Sequence, residues 1–160
     1  MKIKDLAIIK ALCFYSLFFA DFAIADDSNS FGVGIGSMYN GIGVSYGLKE
    51  ETSFRYGSLG CISLSSSDSR GTELNCGIGI GFVTTNMISS NNNHGVGIHL
   101  GLTYNEHENL NKVEGFVSPQ YVYFLEGISH SGFNVGANTW FGKRNGSSDS
   151  GLGVQVGYQF

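Results

Sequence analysis

Apolar residues alternate with small or polar residues along most of the chain after residue 25. This two-residue period is that of a β-strand, in which successive side chains point to opposite faces. No segment repeats its apolar residues at the three-and-four spacing of an amphipathic helix. The pattern predicts eight strands, which lie within residues 31–35, 42–48, 54–64, 74–82, 96–104, a stretch ending at 125, 133–141 and 152–160.

The segments between these strands carry turn-forming residues. Asn40-Gly41 is typical of a tight hairpin, and residues 49–52 form a short polar turn. Longer polar loops are expected at 65–71, 89–93, 105–112 and 143–150. No change of composition marks an internal boundary, so the strands belong to one all-β domain.

Alternation alone fits a soluble sandwich and a membrane barrel, which differ in where the apolar face points. The residues between the apolar positions are mostly Gly, Ser, Thr, Asn and Gln, whereas a water-facing surface carries Lys, Glu and Arg. Aromatic residues cluster near strand ends, as in interfacial girdles, at Tyr46, Phe54, Tyr56, Phe82, Tyr104, Tyr121, Tyr123, Phe141 and Tyr158. The prediction is an antiparallel up-and-down transmembrane β-barrel, with a soluble secreted β-sandwich binding protein as the alternative.

Composition narrows the possible functions. Glycine supplies 24 of the 160 residues, about twice the usual ~7%. Charged residues are 14% of the chain, against ~25% in an ordinary soluble domain. The net charge of −4 offers no basic surface for phosphate contacts. These values argue against a typical cytosolic enzyme and predict no nucleic-acid partner.

Residues 1–25 have the organisation of a cleaved secretory signal peptide. Three lysines precede a short apolar run at 12–19, and Ala23-Ile24-Ala25 fits the small-x-small cleavage rule. A membrane anchor is the alternative, but the apolar run is too short to span a bilayer. We therefore expect cleavage after Ala25, which leaves 26–160 as the barrel domain.

Two cysteines remain in the exported segment, Cys61 and Cys76. An oxidising compartment favours a disulfide between them. Cys61 is out of phase with Phe54 and Tyr56 in the predicted third strand. Pairing the two cysteines on one face would therefore require a β-bulge between Tyr56 and Cys61.

The last predicted strand, residues 151–160, alternates apolar residues and ends on an aromatic residue. With the signal peptide and the eight amphipathic strands, the chain resembles the small eight-stranded bacterial outer-membrane β-barrels. That class includes the transmembrane domain of outer membrane protein A, outer membrane protein X and the opacity proteins. The resemblance implies the cell outer membrane, contact with its lipid and lipopolysaccharide, and a C-terminal signal for the barrel-assembly machinery at Val154, Val156, Tyr158 and Phe160.

The same resemblance implies a topology with both ends in the periplasm. It places the loops 37–41, 65–72, 105–115 and 142–150 outside the cell. It places the turns 49–52, 84–94 and 127–131 in the periplasm. Pro119 lies inside the sixth strand, which predicts either a bulge there or a strand that begins near this residue.

The sequence predicts no catalytic, cofactor-binding or metal site. The glycines of 32–36 and 77–81 follow the strand period and do not match the G-x-G-x-x-G spacing of a dinucleotide site. The four histidines are scattered without ligand spacing, and His99 is expected to point into the barrel. No cofactor is therefore expected.

A barrel of this size has two further candidate functions, lipid A modification and transport through a channel. A lipid A-modifying barrel enzyme would need a converging Ser, His and acid, but His130 and Ser131 are adjacent and would point to opposite faces. A channel is not expected, because eight strands enclose a lumen that side chains fill. Arg55, Glu114 and Glu126 are expected inside, where buried charges pair. The prediction is a non-enzymatic integral outer-membrane barrel with a structural, envelope-integrity or surface-interaction role, whose surface ligand the loops do not identify.

Overall fold

The protein is an eight-stranded antiparallel barrel in a computed structural model, which describes residues 29–62, 75–88, 91–107, 110–144 and 147–160. The strands follow in up-and-down order, and β1 pairs with β8 to close the wall. Closure excludes the sandwich alternative. In the described ranges, no helix is long and apolar enough to cross a membrane. The strands are β1 (Asn29–Gly36), β2 (Gly41–Lys49), β3 (Ser53–Ile62), β4 (Asn75–Thr84), β5 (His94–His107), β6 (Leu110–Phe124), β7 (Gly132–Arg144) and β8 (Ser147–Gln159).

The register sets the size of the barrel. A line of paired residues runs from Phe31 through Tyr46, Gly57, Ile80, Leu100, Val117 and Phe141 to Ser150. In the pairing of β8 with β1, Val156 is the partner of Ile35, and Ser150 lies six residues before Val156. Extended in the same register, Ser150 would face position 41, which is ten residues after Phe31. The barrel therefore has a shear number of ten. With ~3.3 Å per residue and ~4.8 Å between strands, this shear gives a strand tilt of about 40°. A barrel of this size encloses side chains rather than a wide channel.

The wall has opposite polarity on its two faces. Large apolar side chains point outward along every strand, and Ile42, Ile80 and Leu152 are 64%, 64% and 86% exposed. Small and polar side chains point inward, among them Ser45, His99 and Gln155. This inverted pattern explains why the sequence alternates without the charged residues of a water-facing sheet.

We call the end of the barrel where Asn29 and Phe160 lie the terminal end, and the other the far end. Outward aromatic side chains ring the terminal end, and each lies within about three residues of the end of a strand that is located there. Phe160 and Tyr158 have ring centroids 4.8 Å apart, and Tyr158 and Phe133 are 5.0 Å apart. The ring consists of Phe31, Tyr46, Phe82, Tyr121, Tyr123, Phe133, Tyr158 and Phe160; Tyr104 and Phe141 point outward toward the far end.

The third strand departs from the sequence prediction. Phe54 and Tyr56 were expected in the outer girdle, but they point into the lumen and are 0% and 4% exposed. Cys61 is therefore on the outer face with Leu59, and β3 pairs with β4 in one register from Ser53 to Ile62. The expected bulge between Tyr56 and Cys61 is wrong, because the aromatic residues rather than the cysteine belong to the inner face.

Several connections also differ from the predicted topology. The 37–41 segment, expected as an external loop, folds into the lumen instead. The segments 105–115 and 142–150 are largely strand, because hairpin pairing continues to His107↔Leu110 and Arg144↔Ser147. The loop 65–72 lies outside the described residues. The turns at 49–52, 84–94 and 127–131 do fall between strands.

Pro119 sits inside β6 without a bulge and without starting the strand, so both expectations for it are wrong. The β6–β7 pairs Val117↔Phe141 and Gln120↔Asn138 keep one register across the proline. Proline has no amide hydrogen to donate across the ladder. The Ser118 hydroxyl instead donates to the Thr139 carbonyl at 2.8 Å, and this bond replaces the missing backbone donor.

Candidate functional site: an inward-folded turn in the barrel lumen

The β1–β2 connection is a four-residue turn, Ser37–Asn40, that folds into the lumen. Met38 and Tyr39 are fully buried and Asn40 is 1% exposed. The chain reverses through positive φ angles at Gly36 (122°), Asn40 (53°) and Gly41 (103°), values that glycine and asparagine adopt most readily. The Asn40 amide donates to the Ser37 carbonyl at 3.0 Å and closes the turn.

Glycines of β1, β2, β3 and β8 leave the room that the turn occupies. A Cβ atom at Gly34 would lie 2.5 Å from Cε2 of Tyr39, and one at Gly157 would collide with the Tyr39 hydroxyl. Added Cβ atoms at Gly43 and Gly60 would collide with the Tyr39 carbonyl oxygen. The period-two glycines are therefore the seat of the Tyr39 side chain and backbone.

Amide side chains from β6, β7 and β8 hold the turn from the opposite side. The Asn134 side-chain amide donates to the Tyr39 hydroxyl at 2.7 Å. The Ser37 hydroxyl donates to Gln120 Oε1 at 2.9 Å, and Gln155 Oε1 lies 3.2 Å from the same hydroxyl. All of these side chains are at least nine-tenths buried, so each bond replaces a contact with water.

A hydrogen-bonded circuit begins and ends on this turn. Gln120, which accepts from Ser37, donates through Nε2 to the Tyr56 hydroxyl at 2.8 Å. That hydroxyl lies 3.3 Å from His99 Nδ1, and His99 Nε2 lies 3.5 Å from Asn40 Oδ1. The distances fit a neutral histidine with its proton on Nε2, which donates to Asn40. The circuit links both ends of the turn to three strands.

The circuit is neutral throughout. Tyr39, which accepts from Asn134 beside the circuit, is uncharged as well, because burial raises its pKa to about 12. The circuit, including Tyr56 and His99, contains no carboxylate, cysteine or lysine. The circuit and the turn together occupy the lumen with buried, hydrogen-bonded polar groups.

An apolar cluster closes the terminal end below the turn. It consists of inward side chains from β3, β4 and β6 together with one residue of the β6–β7 connection. Ile128 is fully buried, and its amide donates to the Asn92 carbonyl at 2.8 Å. The lumen thus holds two layers, a polar one around Tyr39 and an apolar one made of Phe54, Val83, Val122, Phe124 and Ile128.

The predicted disulfide is present and lies on the outer face toward the far end. The Cys61 and Cys76 sulfur atoms are 2.04 Å apart, and the two residues are direct cross-strand partners. Of the residues of the expected C-terminal signal, Val154, Val156 and Tyr158 lie on the outer face of β8, and Phe160 directly follows the strand. Ala23 and Ala25 lie outside the described residues.

Charged residues expected in the lumen are distributed differently. Arg55 points outward, and its Nη2 lies 3.7 Å from Glu50 Oε1. Glu126 is exposed in the β6–β7 connection, so neither residue lies in the lumen. Glu114 is half-buried on the inner face of β6. The inward prediction for Arg55 fails for the same reason as the outward prediction for Tyr56, since the two alternate along β3.

His130 and Ser131, the pair weighed for lipid A chemistry, are exposed in the β6–β7 connection at the terminal end. His130 Nδ1 lies 3.2 Å from Ser129 Oγ, and the His130 carbonyl accepts from Lys49 Nζ at 3.0 Å.

Sequence reasoning missed the inward turn entirely. The signal that could have found it is Met38-Tyr39, two large apolar side chains in a four-residue connection flanked by glycines.

Comparison with known proteins adds no family to this description: no family model matches the chain, and the curated proteins and the solved structures contain no significant match. The evidence for a function therefore comes from the apolar outer face and the polar inner face of the wall and from the filled lumen.

Proposed function

We propose that the protein is a non-enzymatic integral barrel of the bacterial outer membrane with a structural, envelope-integrity role. The observation that carries this proposal is the predominantly apolar outer face that all eight strands share, with Ile78, Leu100 and Val154 each about half exposed or more. In water such a surface would drive association, whereas in a bilayer it replaces lipid–lipid contact. The aromatic ring at the terminal end matches the level of an interface between hydrocarbon and headgroups.

The filled lumen supports a structural role rather than transport. An ion that entered from the far end would meet the Tyr39 turn and then the apolar cluster around Phe124. Moving the turn breaks its bonds to Asn134 and Gln120, and the apolar cluster still blocks the terminal end. Two barriers in series favour a barrel that does not conduct.

Export and assembly complete the proposal. Cleavage after Ala25 would deliver the chain to the periplasm, where the outward residues of β8 up to Phe160 would engage the barrel-assembly machinery. Both ends of the barrel domain would then face the periplasm, and the far end would face outward. The partners proposed are membrane lipid and lipopolysaccharide, and no nucleic acid.

Heat-modifiability of the full chain tests the proposal. The chain is expressed in a Gram-negative host, outer membranes are isolated, and unboiled and boiled samples are compared on a denaturing gel. We expect a membrane-bound band that changes mobility on boiling, because closed membrane barrels resist detergent until heated. A protein recovered in the soluble periplasm without detergent contradicts the proposal.

Planar-bilayer recording tests the occluded lumen separately. We expect no steady conductance from the purified barrel, and none after replacement of residues 37–40 by Asn-Gly, since the apolar cluster remains. An open current in the unmodified protein contradicts the structural role but leaves membrane insertion intact.

A further inference from the structure

In the part of the wall that the structure describes, the outer face of β3 carries a groove that the structural role does not use. It lies over Gly57 on β3, between the paired residues Tyr46 and Ile80, and has a volume of about 490 Å³. We propose that this groove seats an acyl chain of a phospholipid whose zwitterionic phosphate–ammonium headgroup binds Arg55 and Glu50. The inference rests on the proposed membrane location. The apolar walls of the groove include Leu48, Ile80, Phe82, Ile98 and Leu100.

The groove exists because a glycine faces outward where the neighbouring strands carry bulky side chains. A Cβ atom at Gly57 would meet only the Gly79 carbonyl oxygen, at 3.8 Å. Packing inside the barrel therefore does not require glycine here, in contrast to Gly43 in the lumen. The missing side chain leaves a depression on the outer face that the adjacent Tyr46 and Ile80 deepen.

A pair of opposite charges, Arg55 and Glu50, lies at the terminal end of this groove. The Glu50 carboxylate accepts from the Ser53 hydroxyl at 2.8 Å, which holds it beside Arg55. The contact between Arg55 and Glu50 is 3.7 Å, and both side chains are more than half exposed. At that distance the guanidinium keeps donors for a phosphate, which arginine binds in bidentate form. Glu50 correspondingly keeps acceptor capacity for an ammonium group.

The position of Arg55 agrees with a headgroup site. Its cross-strand partner Phe82 belongs to the aromatic ring, so the guanidinium lies at the level proposed for the membrane interface. An outward arginine costs ~2–4 kcal/mol at the bilayer midplane but only ~0–1 kcal/mol near the interface. From this level the groove rises toward Leu100, the direction that an acyl chain takes into the hydrocarbon.

The experiment measures lipid binding by the protein expressed from the full chain, exported and purified from outer membranes in detergent. Native mass spectrometry counts bound lipid after delipidation and titration with dioleoylphosphatidylethanolamine or dioleoylphosphatidylglycerol. The variants are Arg55→Gln and Gly57→Leu. The matched controls are Lys143→Gln, an outward cation toward the far end, and Gly115→Leu, an outward glycine whose added Cβ would also make only ordinary contacts.

We expect the wild type to retain phosphatidylethanolamine in preference to phosphatidylglycerol. Arg55→Gln should lower that retention about tenfold, because a charge-assisted hydrogen bond is lost. Gly57→Leu should lower it about threefold or more by filling the groove, and both controls should bind as the wild type does. Equal retention by Arg55→Gln and the wild type, or by Gly57→Leu and Gly115→Leu, overturns the inference, as does preference for phosphatidylglycerol.

The heat shift separates this inference from the proposed function. If all variants insert and shift on boiling but retain lipid equally, only the lipid site is wrong. If the wild type neither inserts nor shifts, the membrane location and the site built on it both fail.

Discussion

The two halves of the barrel solve different problems with the same alternating pattern. β1 to β4 are 8 to 10 residues long and turn many glycines toward the lumen, whereas β5 to β8 are 13 to 15 residues long and carry most of the inward amides. We call β1 to β4 the glycine half, because Gly34, Gly43 and other glycines there leave most of the space for Tyr39, to which Gly157 of β8 adds. We call β5 to β8 the amide half, because it supplies side-chain donors such as Asn134. Around Tyr39, the lumen of this small barrel is thus filled by one inserted turn and the amides that bind it, and large strand side chains fill only the layer below.

A large loss of stability is expected from adding a side chain at Gly43, one of the lumen-facing glycines of the glycine half. Gly43→Val places a side chain where the Leu59 and Tyr39 carbonyl oxygens already lie. We expect it to destabilise the barrel by about 3 kcal/mol or more, because overpacking against backbone has little room to relax. The mobility of unboiled samples on a denaturing gel, followed along a urea titration, gives the midpoint of unfolding.

Gly115→Val on the outer face is the matched control for that change. Its Cβ atom would make only contacts of 3.5 Å and longer, so the free energy of unfolding should stay within about 0.5 kcal/mol of the wild-type value. Equal midpoints for the two valine variants would show that the turn is not seated against Gly43.

The second prediction removes the side chain that joins the two halves. Tyr39→Ala should destabilise the barrel by ~3–5 kcal/mol, as other large-to-small core substitutions do. Tyr39→Phe removes only the hydroxyl that accepts from Asn134 and should cost ~1–3 kcal/mol, because a buried amide loses its partner. Tyr104→Phe on the outer face should be near neutral, and a comparable loss there would argue against a specific role for Tyr39.

The third prediction concerns the brace within the glycine half. The disulfide closes 15 residues between Cys61 and Cys76, and a loop of that size stabilises by ~3 kcal/mol on the chain-entropy model. Replacing both cysteines by serine should lower the urea midpoint accordingly while the heat shift persists. Reductant should lower the wild-type midpoint to that of the double variant and leave the double variant unchanged. A wild-type midpoint that ignores reductant contradicts the assignment.

The smallest effect belongs to the amide half, at Pro119. Ser118→Ala should cost about 1 kcal/mol, since the Thr139 carbonyl loses its donor. In a Pro119→Val background the cost should shrink, because a backbone amide is again available to that carbonyl. A double-mutant cycle of urea midpoints measures the coupling. Additive effects would mean that the serine does not substitute for the missing amide.

The strand count, the up-and-down barrel and the cysteine pairing were all predictable from the sequence. Alternation is a local property, and pairing of adjacent strands across short turns follows from chain order. The phase of β3 was not predictable in this way. Phe54, Arg55 and Tyr56 offer both faces a large side chain, so local alternation does not decide which one is buried.

Eight strands of alternating apolar and small residues are predictable from the amino-acid sequence, because strand periodicity depends only on neighbouring residues. The position of the 37–40 turn inside the lumen depends instead on the tertiary structure. Its seat combines glycines of β1, β2, β3 and β8 with amides of β6, β7 and β8, and no short segment contains both. Only closure of the barrel brings space and hydrogen-bond donors to the same point, and there burial of Met38 and Tyr39 becomes more favourable than exposure in a loop.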